Sequence, residues 1–372
     1  MALDLCAIRR DLHQYPEVAH QEYRTAGVIE KTLQTLGLYP RRMAETGVVC
    51  DIPGRTSEPM LALRADIDAL PIQEQSGVEF ASRTPGVMHA CGHDVHTTIL
   101  LGVAEQLVQR QNELRRGVRL IFQPAEEGTT GAREMIAAGV LDNVASIVGL
   151  HNYPLLPVGK AAFRVGPLMA ASSRFQITIT GKGGHAASPH LSADPIVAGA
   201  AVVGGLQHLV SRVAHPLEPL VVTVGSFQAG SAFNIIPETA EMQGTVRCYS
   251  TELRRNVGQW MTETAGCIAA GYRCQAQVEY TEMMPPVRND PELTQQARQA
   301  AVDVLGEKNV GEAEQVLAAE DFALYQQVVP GCFFWLGSGG PYHWHHPAFT
   351  VDEEVLPTGV KTLTAIALEL VS

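Results

Sequence analysis

Basic residues are scarce in this chain. Among its 372 residues, 27 are Lys or Arg and 39 are Asp or Glu, which gives a formal net charge of −12. An acidic protein of this kind has no broad electrostatic attraction for nucleic acid or anionic membranes, so we expect neither as a partner. The seven cysteines, an odd number, show no paired framework and favour a reducing compartment.

Long hydrophobic runs are also missing. The longest mainly apolar run, residues 195–206, is shorter than the roughly 20 residues that a membrane-spanning helix needs. Residues 1–15 alternate charged and apolar side chains and lack the apolar core of a signal peptide. With 46% hydrophobic and 18% charged residues, the composition is that of a folded globular protein. We therefore expect a soluble cytoplasmic protein with a sizeable buried core.

Strand-like and helix-like patterns alternate in the first part of the chain. Apolar residues at strand or helix spacing predict three short strands and three helices there. The strands are 60–64, 118–122 and 146–150, and the helices are 25–36, 94–107 and 131–138. This alternation predicts an α/β sheet with functional residues at the carboxyl ends of its strands.

The pattern changes between residues 171 and 283. Four strands and two helices are predicted in the order β-α-β-β-α-β, with Asp194 as the N-cap of the first helix. This is the order of a ferredoxin-like unit. We therefore predict a mixed-sheet, helix-flanked α/β catalytic domain, residues 1–170 and 284–372, interrupted by an inserted ferredoxin-like α+β domain, residues 171–283.

Metal-ligating side chains are concentrated in four short clusters, each at a place where a strand is predicted to end. In the first, Cys91 and His93 are two residues apart, so on an extended loop both can face one point, and Asp94 can hold an imidazole N–H. A thiolate and an imidazole suit zinc, manganese, cobalt or nickel. In the second, Glu126 and Glu127 point in different directions, so that one can bind metal while the other acts as a base.

The other two clusters contain only histidines. His151 directly follows an apolar strand, and His343, His345 and His346 lie near the C-terminus. Each cluster alone has an ordinary structural explanation, such as a histidine at a strand end or glutamates in a turn before a helix. Four clusters in one chain indicate a shared site, and their ligands exceed the three that one catalytic zinc uses. Two metals about 3.5–4 Å apart would use them all.

Six stretches of the chain carry a family resemblance. They are residues 63–71, 88–94, 122–128, 181–186, 233–237 and 345–347. In these motifs and their order, the chain resembles the M20 metallopeptidase family, in the amidohydrolase branch of hippurate hydrolases, auxin-conjugate hydrolases and bacterial N-acyl amino acid deacetylases. The resemblance implies hydrolysis of the amide bond of an N-acyl amino acid. The alternatives are a dipeptidase or carboxypeptidase on the same site, or a catalytically silent metal-binding relative.

The resemblance also implies roles for individual residues. Two divalent ions (Mn²⁺, Zn²⁺, Co²⁺ or Ni²⁺) would be bound by five ligands, with Glu126 left as the general base. These ligands are Cys91, His93, Glu127, His151 and His345. His345 is preferred to His346 because the family places this ligand two residues before the proline, although Trp344 replaces the family's usual small residue or leucine. Asp68 is expected either to support a ligand or to cap a turn.

The inserted domain resembles the lid and dimerisation domain of the family. That likeness implies a homodimer formed through this domain. It also implies that His185 stabilises the oxyanion of the reaction. Asn234 and Arg247 are candidates to bind the substrate carboxylate, since a bidentate arginine suits that task, although Arg247 is explained nearly as well as a surface residue of a strand.

Overall fold

The structure is a computed structural model that describes residues 2–372. Contacts between α-carbons divide the chain into two compact units. The first unit consists of the chain up to Leu168 together with Arg288–Glu314 and Glu320–Ser372, and the second consists of Met169–Val287 and Gln315–Ala319. The short segment Gln315–Ala319 thus joins the second unit, whereas the predicted domain limits place it in the catalytic domain.

The helices and strands are numbered in chain order. The α-helices are α1 Leu5–Gln14, α2 Tyr23–Thr35, α3 His93–Gln109, α4 Gly131–Ala137, α5 Pro195–His208, α6 Thr251–Gly271, α7 Pro291–Leu305, α8 Phe322–Tyr325 and α9 Val355–Val371. The strands are β1 Arg41–Met43, β2 Gly47–Ile52, β3 Met60–Asp66, β4 Val118–Gln123, β5 Val144–Tyr153, β6 Ala161–Phe163, β7 Gly166–Met169, β8 Ala171–Thr180, β9 Gly184–His185, β10 Leu220–Ala229, β11 Ile235–Ile236, β12 Thr239–Cys248, β13 Gln275–Met284, β14 Val287–Asn289, β15 Val310–Glu312 and β16 Gly331–Gly337.

The first unit contains an eight-stranded mixed sheet in the order β1-β2-β4-β3-β5-β16-β6-β15. Its centre is parallel, because β3 pairs in parallel with both β4 and β5, and β5 pairs in parallel with β16. These central strands are buried along almost their whole length, which matches their continuous apolar sequences. The parallel centre brings the carboxyl ends of four strands to one edge, and the predicted α/β class is confirmed.

Helix α3 is the central helix of the first unit. Nearly every residue from His93 to Leu107 is buried, and the helix packs against α1, α9 and β3. Its first residues therefore lie inside the protein. Burying the start of a helix places the polar side chains of its first turn where they must find partners or ligands.

The second unit is a four-stranded antiparallel sheet in the order β10-β12-β8-β13, with α5 and α6 packed on it. This is the strand order of a ferredoxin-like fold, as predicted. Asp194 caps α5 through its side chain, which accepts a hydrogen bond from the Ile196 N–H. A separate two-stranded ladder pairs β9 with β11 and places His185 opposite Ile235.

The helix that contains the apolar run at α5 is longer than that run. The helix continues through a π-helical turn, Leu209–Val213, to give 19 helical residues from Pro195 to Val213. The helix is long and apolar enough to cross a membrane, by length and composition only, and 28% of its apolar segment is buried. Within the second unit the helix packs against α6 and the four-stranded sheet.

Candidate metal centre

The parallel centre of the first unit positions Asp68 and two of the predicted clusters, those of Glu126 and His151, at one sheet edge. In the β3–β4 ladder Asp66 pairs with Gln123, so the loops that carry Asp68 and Glu126 leave the sheet side by side. On the other side of β3, strand β5 runs on through His151, which pairs with Trp335 of β16. The strand order of the sheet thus brings these loops together.

The turn before α3 adds Cys91 and His93 to this edge. Gly92, between them, has a backbone φ of +85°, a left-handed conformation that glycine adopts readily. A Cβ atom at this position would lie 2.3 Å from Nδ2 of Asn152, so a larger residue does not fit. This tight turn directs the side chains of Cys91 and His93 toward His151.

The structure brings all five predicted ligands together beside Glu126. The Cys91 Sγ atom lies 3.4 Å from Nε2 of His151, and Oε1 of Glu127 lies 3.4 Å from Nε2 of His345. His93 joins the two pairs, since its Nε2 atom lies 3.9 Å from the same Glu127 oxygen. Within each of three overlapping groups the ligand atoms are within 4.8 Å of one another; the groups are Cys91/His93/His151, Cys91/Glu127/His345 and His93/Glu126/Glu127.

Two buried atoms at this place have no hydrogen-bond partner among the described residues. They are Nε2 of His93 and Oε1 of Glu127. A buried polar atom without a partner costs free energy, so such atoms are usually satisfied by water or an ion. Thiolate, imidazole and carboxylate ligands together fit a divalent transition metal. The residues present therefore fit the metal ions that the sequence implies.

Burial shifts the pKa values of the ligands. Burial, together with Glu127 and Glu126, raises the pKa of the Cys91 thiol well above its usual value, so the thiolate needs a cation nearby. Burial lowers the pKa of His151 well below its usual value and keeps the ring neutral, the form that binds metal. Nδ1 of His151 lies 2.8 Å from the Asn152 carbonyl oxygen and donates to it, which leaves Nε2 free on the side of Cys91.

Asp68 connects two of the ligands. Its Oδ1 atom lies 3.2 Å from Nδ1 of His93, and its Oδ2 atom accepts a hydrogen bond of 3.0 Å from the Glu127 N–H. Although burial alone would lower the pKa of His93, the carboxylates of Asp66, Asp68 and Glu127 raise it to about 10. Asp68 therefore contacts two of the predicted ligands, His93 and Glu127, as a ligand-supporting residue would.

Asp94 contacts an imidazole, as predicted, but that of His13, which is not one of the predicted ligands. Its Oδ2 atom accepts a hydrogen bond from Nε of Arg9 and lies 2.8 Å from Nδ1 of His13, both on α1. None of the predicted ligands contacts this carboxylate in the described chain. Helix α3 directs Asp94 away from His93, because consecutive residues of a helix point to different sides.

Sequence reasoning missed a buried ionic network behind Glu126. The fully buried Arg64 guanidinium lies 2.6 Å from Oδ2 of Asp66 and 2.9 Å from carboxylate oxygens of both Glu320 and Asp321. Glu126 lies within 4.8 Å of Glu320 and Asp321. Burial, with the charges of Glu320, Glu127 and Asp321, raises the pKa of Glu126 well above its usual value.

His96 and Asn152 were also missed. His96 lies one helical turn after His93, and its Nδ1 atom is 2.6 Å from Oδ1 of Asp66. This three-residue spacing from a predicted ligand is a signal that the sequence does contain. Asn152 directly follows His151 and is completely buried.

The three predicted substrate residues lie in the second unit. The Ala186 N–H donates to the Asn234 carbonyl oxygen over 3.1 Å, so His185 and Asn234 are neighbours, and both are exposed. Arg247 lies on β12 opposite Val221 and Ser172 and is half-buried, which lowers the pKa of its guanidinium. Among residues 2–372 no carboxylate pairs with it.

The fold and the site define a metal-dependent hydrolase. The chain belongs to peptidase family M20/M25/M40, whose model matches residues 62–369. It is 47% identical to an N-acetylcysteine deacetylase of Bacillus subtilis over 98% of this chain and 96% of that protein. An IAA-amino acid hydrolase of Arabidopsis thaliana, ILR1-like 5, is 43% identical over 98% of this chain and 86% of its own length.

Solved structures agree with this family membership. The Bacillus subtilis YXEP protein, described as a dinuclear metal binding peptidase of the M20 family, superposes with a TM-score of 0.90 at 43% identity, covering 99% of this chain and 97% of that one. A putative aminohydrolase from methicillin-resistant Staphylococcus aureus superposes with a TM-score of 0.93 at 35% identity, covering 99% and 96%. The mixed-sheet domain with its inserted ferredoxin-like unit is therefore the fold of this family.

Proposed function

We propose that the protein hydrolyses the amide bond of N-acyl amino acids and releases a carboxylic acid and a free amino acid. Two divalent metal ions would be held by the five clustered ligands, Cys91, His93, Glu127, His151 and His345. The observation that carries the proposal is the position of Glu126, a buried carboxylate that lies within 4.8 Å of the ligand atoms of His93 and Glu127. Such a group is available to move a proton.

Glu126 would act as general base and then as general acid. When bound, the metals would supply a polarised water and an electrophile for the amide carbonyl. Glu126 accepts the proton of the attacking water and delivers it to the nitrogen of the leaving amine. Burial and the neighbouring carboxylates raise the pKa of Glu126, which increases its affinity for the proton that it takes from water.

The second unit would supply the groups that hold the substrate. We assign the oxyanion contact to His185 and the substrate carboxylate to Asn234 and Arg247. The adjacent backbone positions of His185 and Asn234 support a shared role. No carboxylate among the described residues pairs with the half-buried guanidinium of Arg247, so its charge is available to an anion.

An acetyl group is the favoured acyl group. Two relatives, 47% and 44% identical, are named N-acetylcysteine and N-acetyl-L-cysteine deacetylase, so N-acetylcysteine is the first substrate to test. Indoleacetyl amides come second, because plant relatives named IAA-amino acid hydrolases are 42–43% identical. We place the enzyme in the cytoplasm, with Mn²⁺ or Zn²⁺ as the first metals to test.

A substrate panel tests the proposed function. N-acetyl, N-benzoyl and N-indoleacetyl amino acids are incubated beside dipeptides with added Mn²⁺ or Zn²⁺, and free amino acid is measured with a chelator control. We expect chelator-sensitive release from N-acetyl substrates. Release from dipeptides alone would instead identify a peptidase, and no release from any substrate would identify a catalytically silent relative.

Exposed apolar side chains on the second unit support a homodimer. Phe233 and Ile235 are 101% and 56% exposed, and Ile196 and Val197 on α5 are 38% and 49% exposed. A Cβ atom on Gly230 would lie 3.6 Å from Cδ1 of Ile196, so the loop and the helix adjoin. Adjoining exposed apolar residues are typical of a protein–protein interface.

Ile235→Lys should convert the proposed dimer to monomer, because a charge in an apolar interface must lose its hydration there. Light scattering after size-exclusion chromatography measures the mass. Tyr39→Lys is the control, since Tyr39 is 91% exposed on the first unit and should leave the mass unchanged. Equal masses for the wild type and Ile235→Lys would contradict a dimer formed through this surface.

A further inference from the structure

Asn152 has contacts that no proposed catalytic step uses. It is completely buried near the end of β5, directly after the ligand His151. Its backbone carbonyl oxygen accepts two hydrogen bonds, one from Nδ1 of His151 at 2.8 Å and one from Nε1 of Trp344 at 3.0 Å. The first orients the His151 ring toward Cys91, and the second holds the loop that carries His345.

The side chain of Asn152 contacts Cys91, His96 and Ser338. Its Nδ2 atom donates to the Cys91 carbonyl oxygen at 2.6 Å and lies 2.9 Å from Nε2 of His96. Its Oδ1 atom accepts from Oγ of Ser338 at 3.2 Å, which fixes the orientation of the amide. Asn152 therefore contacts the segments that carry three ligands, Cys91, His151 and His345.

A fixed chain of contacts lies behind the amide. The backbone N–H of Asn152 donates to Nε2 of His96 at 2.9 Å. Because Nε2 accepts, Nδ1 of His96 carries the ring proton and donates to Oδ1 of Asp66. Asp66 is in turn held by Arg64. Asn152 is thus held in place by the buried residues His96, Asp66 and Arg64.

We propose that Asn152 is a positioning residue of the metal centre, which holds the Cys91, His151 and His345 segments at the spacing that the metals need. The inference rests on the ligand set of the proposed function. It requires the amide donors of Asn152 and not only its volume, because the Cys91 carbonyl oxygen and Nε2 of His96 are both acceptors. Residues that orient metal ligands commonly change metal affinity by about 10–100-fold.

Two substitutions separate the amide from its volume. Asn152→Asp keeps the shape but turns an oxygen toward two acceptors, and Asn152→Leu keeps the approximate volume without donors. We expect both to raise the Kd for Co²⁺ by about 10–100-fold and to weaken the thiolate-to-cobalt absorption band of Cys91. Metal-free protein is titrated with Co²⁺ and followed by absorption, and its unfolding temperature is measured by circular dichroism.

Asn289→Leu is the matched control. Asn289 is 2% exposed in the first unit and bonds the backbone of Phe333 and Arg164, but it contacts none of the proposed ligands. This variant should lower the unfolding temperature and leave the Co²⁺ affinity and band unchanged. A structural role of Asn152 alone would produce the same result in the Asn152 variants.

Trp344→Phe decides the question if the Asn152 variants do not fold. It keeps an aromatic ring beside His151 but removes the N–H that donates to the Asn152 carbonyl oxygen. We expect a Kd about two- to tenfold higher, as for the loss of one hydrogen bond. Wild-type affinity in this variant would then overturn the inference.

The remaining outcomes are also decisive. Wild-type affinity and band in the Asn152 variants, or equal losses of affinity in Asn289→Leu, overturn the positioning role while the proposed ligand set stands. Absence of a thiolate band in the wild-type protein overturns the ligand set itself, and the inference with it. Weaker Co²⁺ binding confined to the variants at Asn152 and Trp344 supports the inference.

Discussion

Glu126→Gln should lower kcat by about 10²–10⁴-fold, the usual contribution of a general base. The amide is the same size as the carboxylate but does not accept a proton from water. Because Glu126 lies among Glu320, Glu127 and Asp321, the loss of its charge relieves repulsion, and the unfolding temperature should stay equal or rise. Turnover of N-acetylcysteine and metal content by mass spectrometry are measured on the same preparation.

Glu127→Gln is the informative counterpart of this variant. Glu127 is a proposed ligand, and its Oε1 atom lies 3.4 Å from His345 and 3.9 Å from His93. We expect this variant to lose metal as well as activity, whereas Glu126→Gln retains its metal. If both variants lose metal alike, Glu126 is a ligand and the assignment of the base is wrong.

The candidate ligands could be found from the sequence because each lies in a local motif. Cys91 and His93 are two residues apart, Glu126 and Glu127 are adjacent, and His151 directly follows a strand. A parallel sheet brings the ends of neighbouring strands to one edge whatever the details of its packing. The pattern of strands therefore predicted that these clusters would meet.

The surroundings of the ligands could not be predicted in this way. Arg64 and Glu320 are separated by 256 positions, and their pairing depends on how the loop before α8 packs. The rotation of α3, which directs Asp94 to His13, is set by packing against α1. Local spacing contains no information on either arrangement.

Helix α1 was missed although its sequence has a start signal. Asp4 accepts a hydrogen bond from the Ala7 N–H as an N-cap, and Leu5, Ile8 and Leu12 follow at helical spacing. The charged residues between them obscure this pattern. The structure shows why two of them are there: the buried Arg9 and His13 both contact Asp94 at the start of α3.

Arg64→Met should destabilise the protein by about 3–5 kcal/mol, since removal of one partner of a buried ion pair leaves the other charge uncompensated. Arg64 is the cation that contacts three buried carboxylates, Asp66, Glu320 and Asp321. Urea unfolding followed by tryptophan fluorescence measures the loss, because Trp335 and Trp344 both lie in the first unit. Arg64→Lys keeps the charge with fewer donors and should lose less stability.

The loss should grow as the pH rises. Burial already raises the pKa of Glu320, and that of Asp321 well above its usual value, although Arg64 opposes the shift. Without Arg64 these pKa values rise further above those of the unfolded chain. The folded variant then binds more protons than the unfolded chain at pH values above the usual carboxyl pKa of about 4, so its stability falls as these protons are lost.

The destabilisation by Arg64→Met should therefore be smaller at about pH 5 than at about pH 8, because a carboxyl with a raised pKa loses its proton between these values. Adding Glu320→Gln to Arg64→Met removes one of the uncompensated charges and should recover part of the lost stability. A loss that is independent of pH and unchanged in the double variant would show that Arg64 acts through packing. The network behind Glu126 would then not be held together by charge.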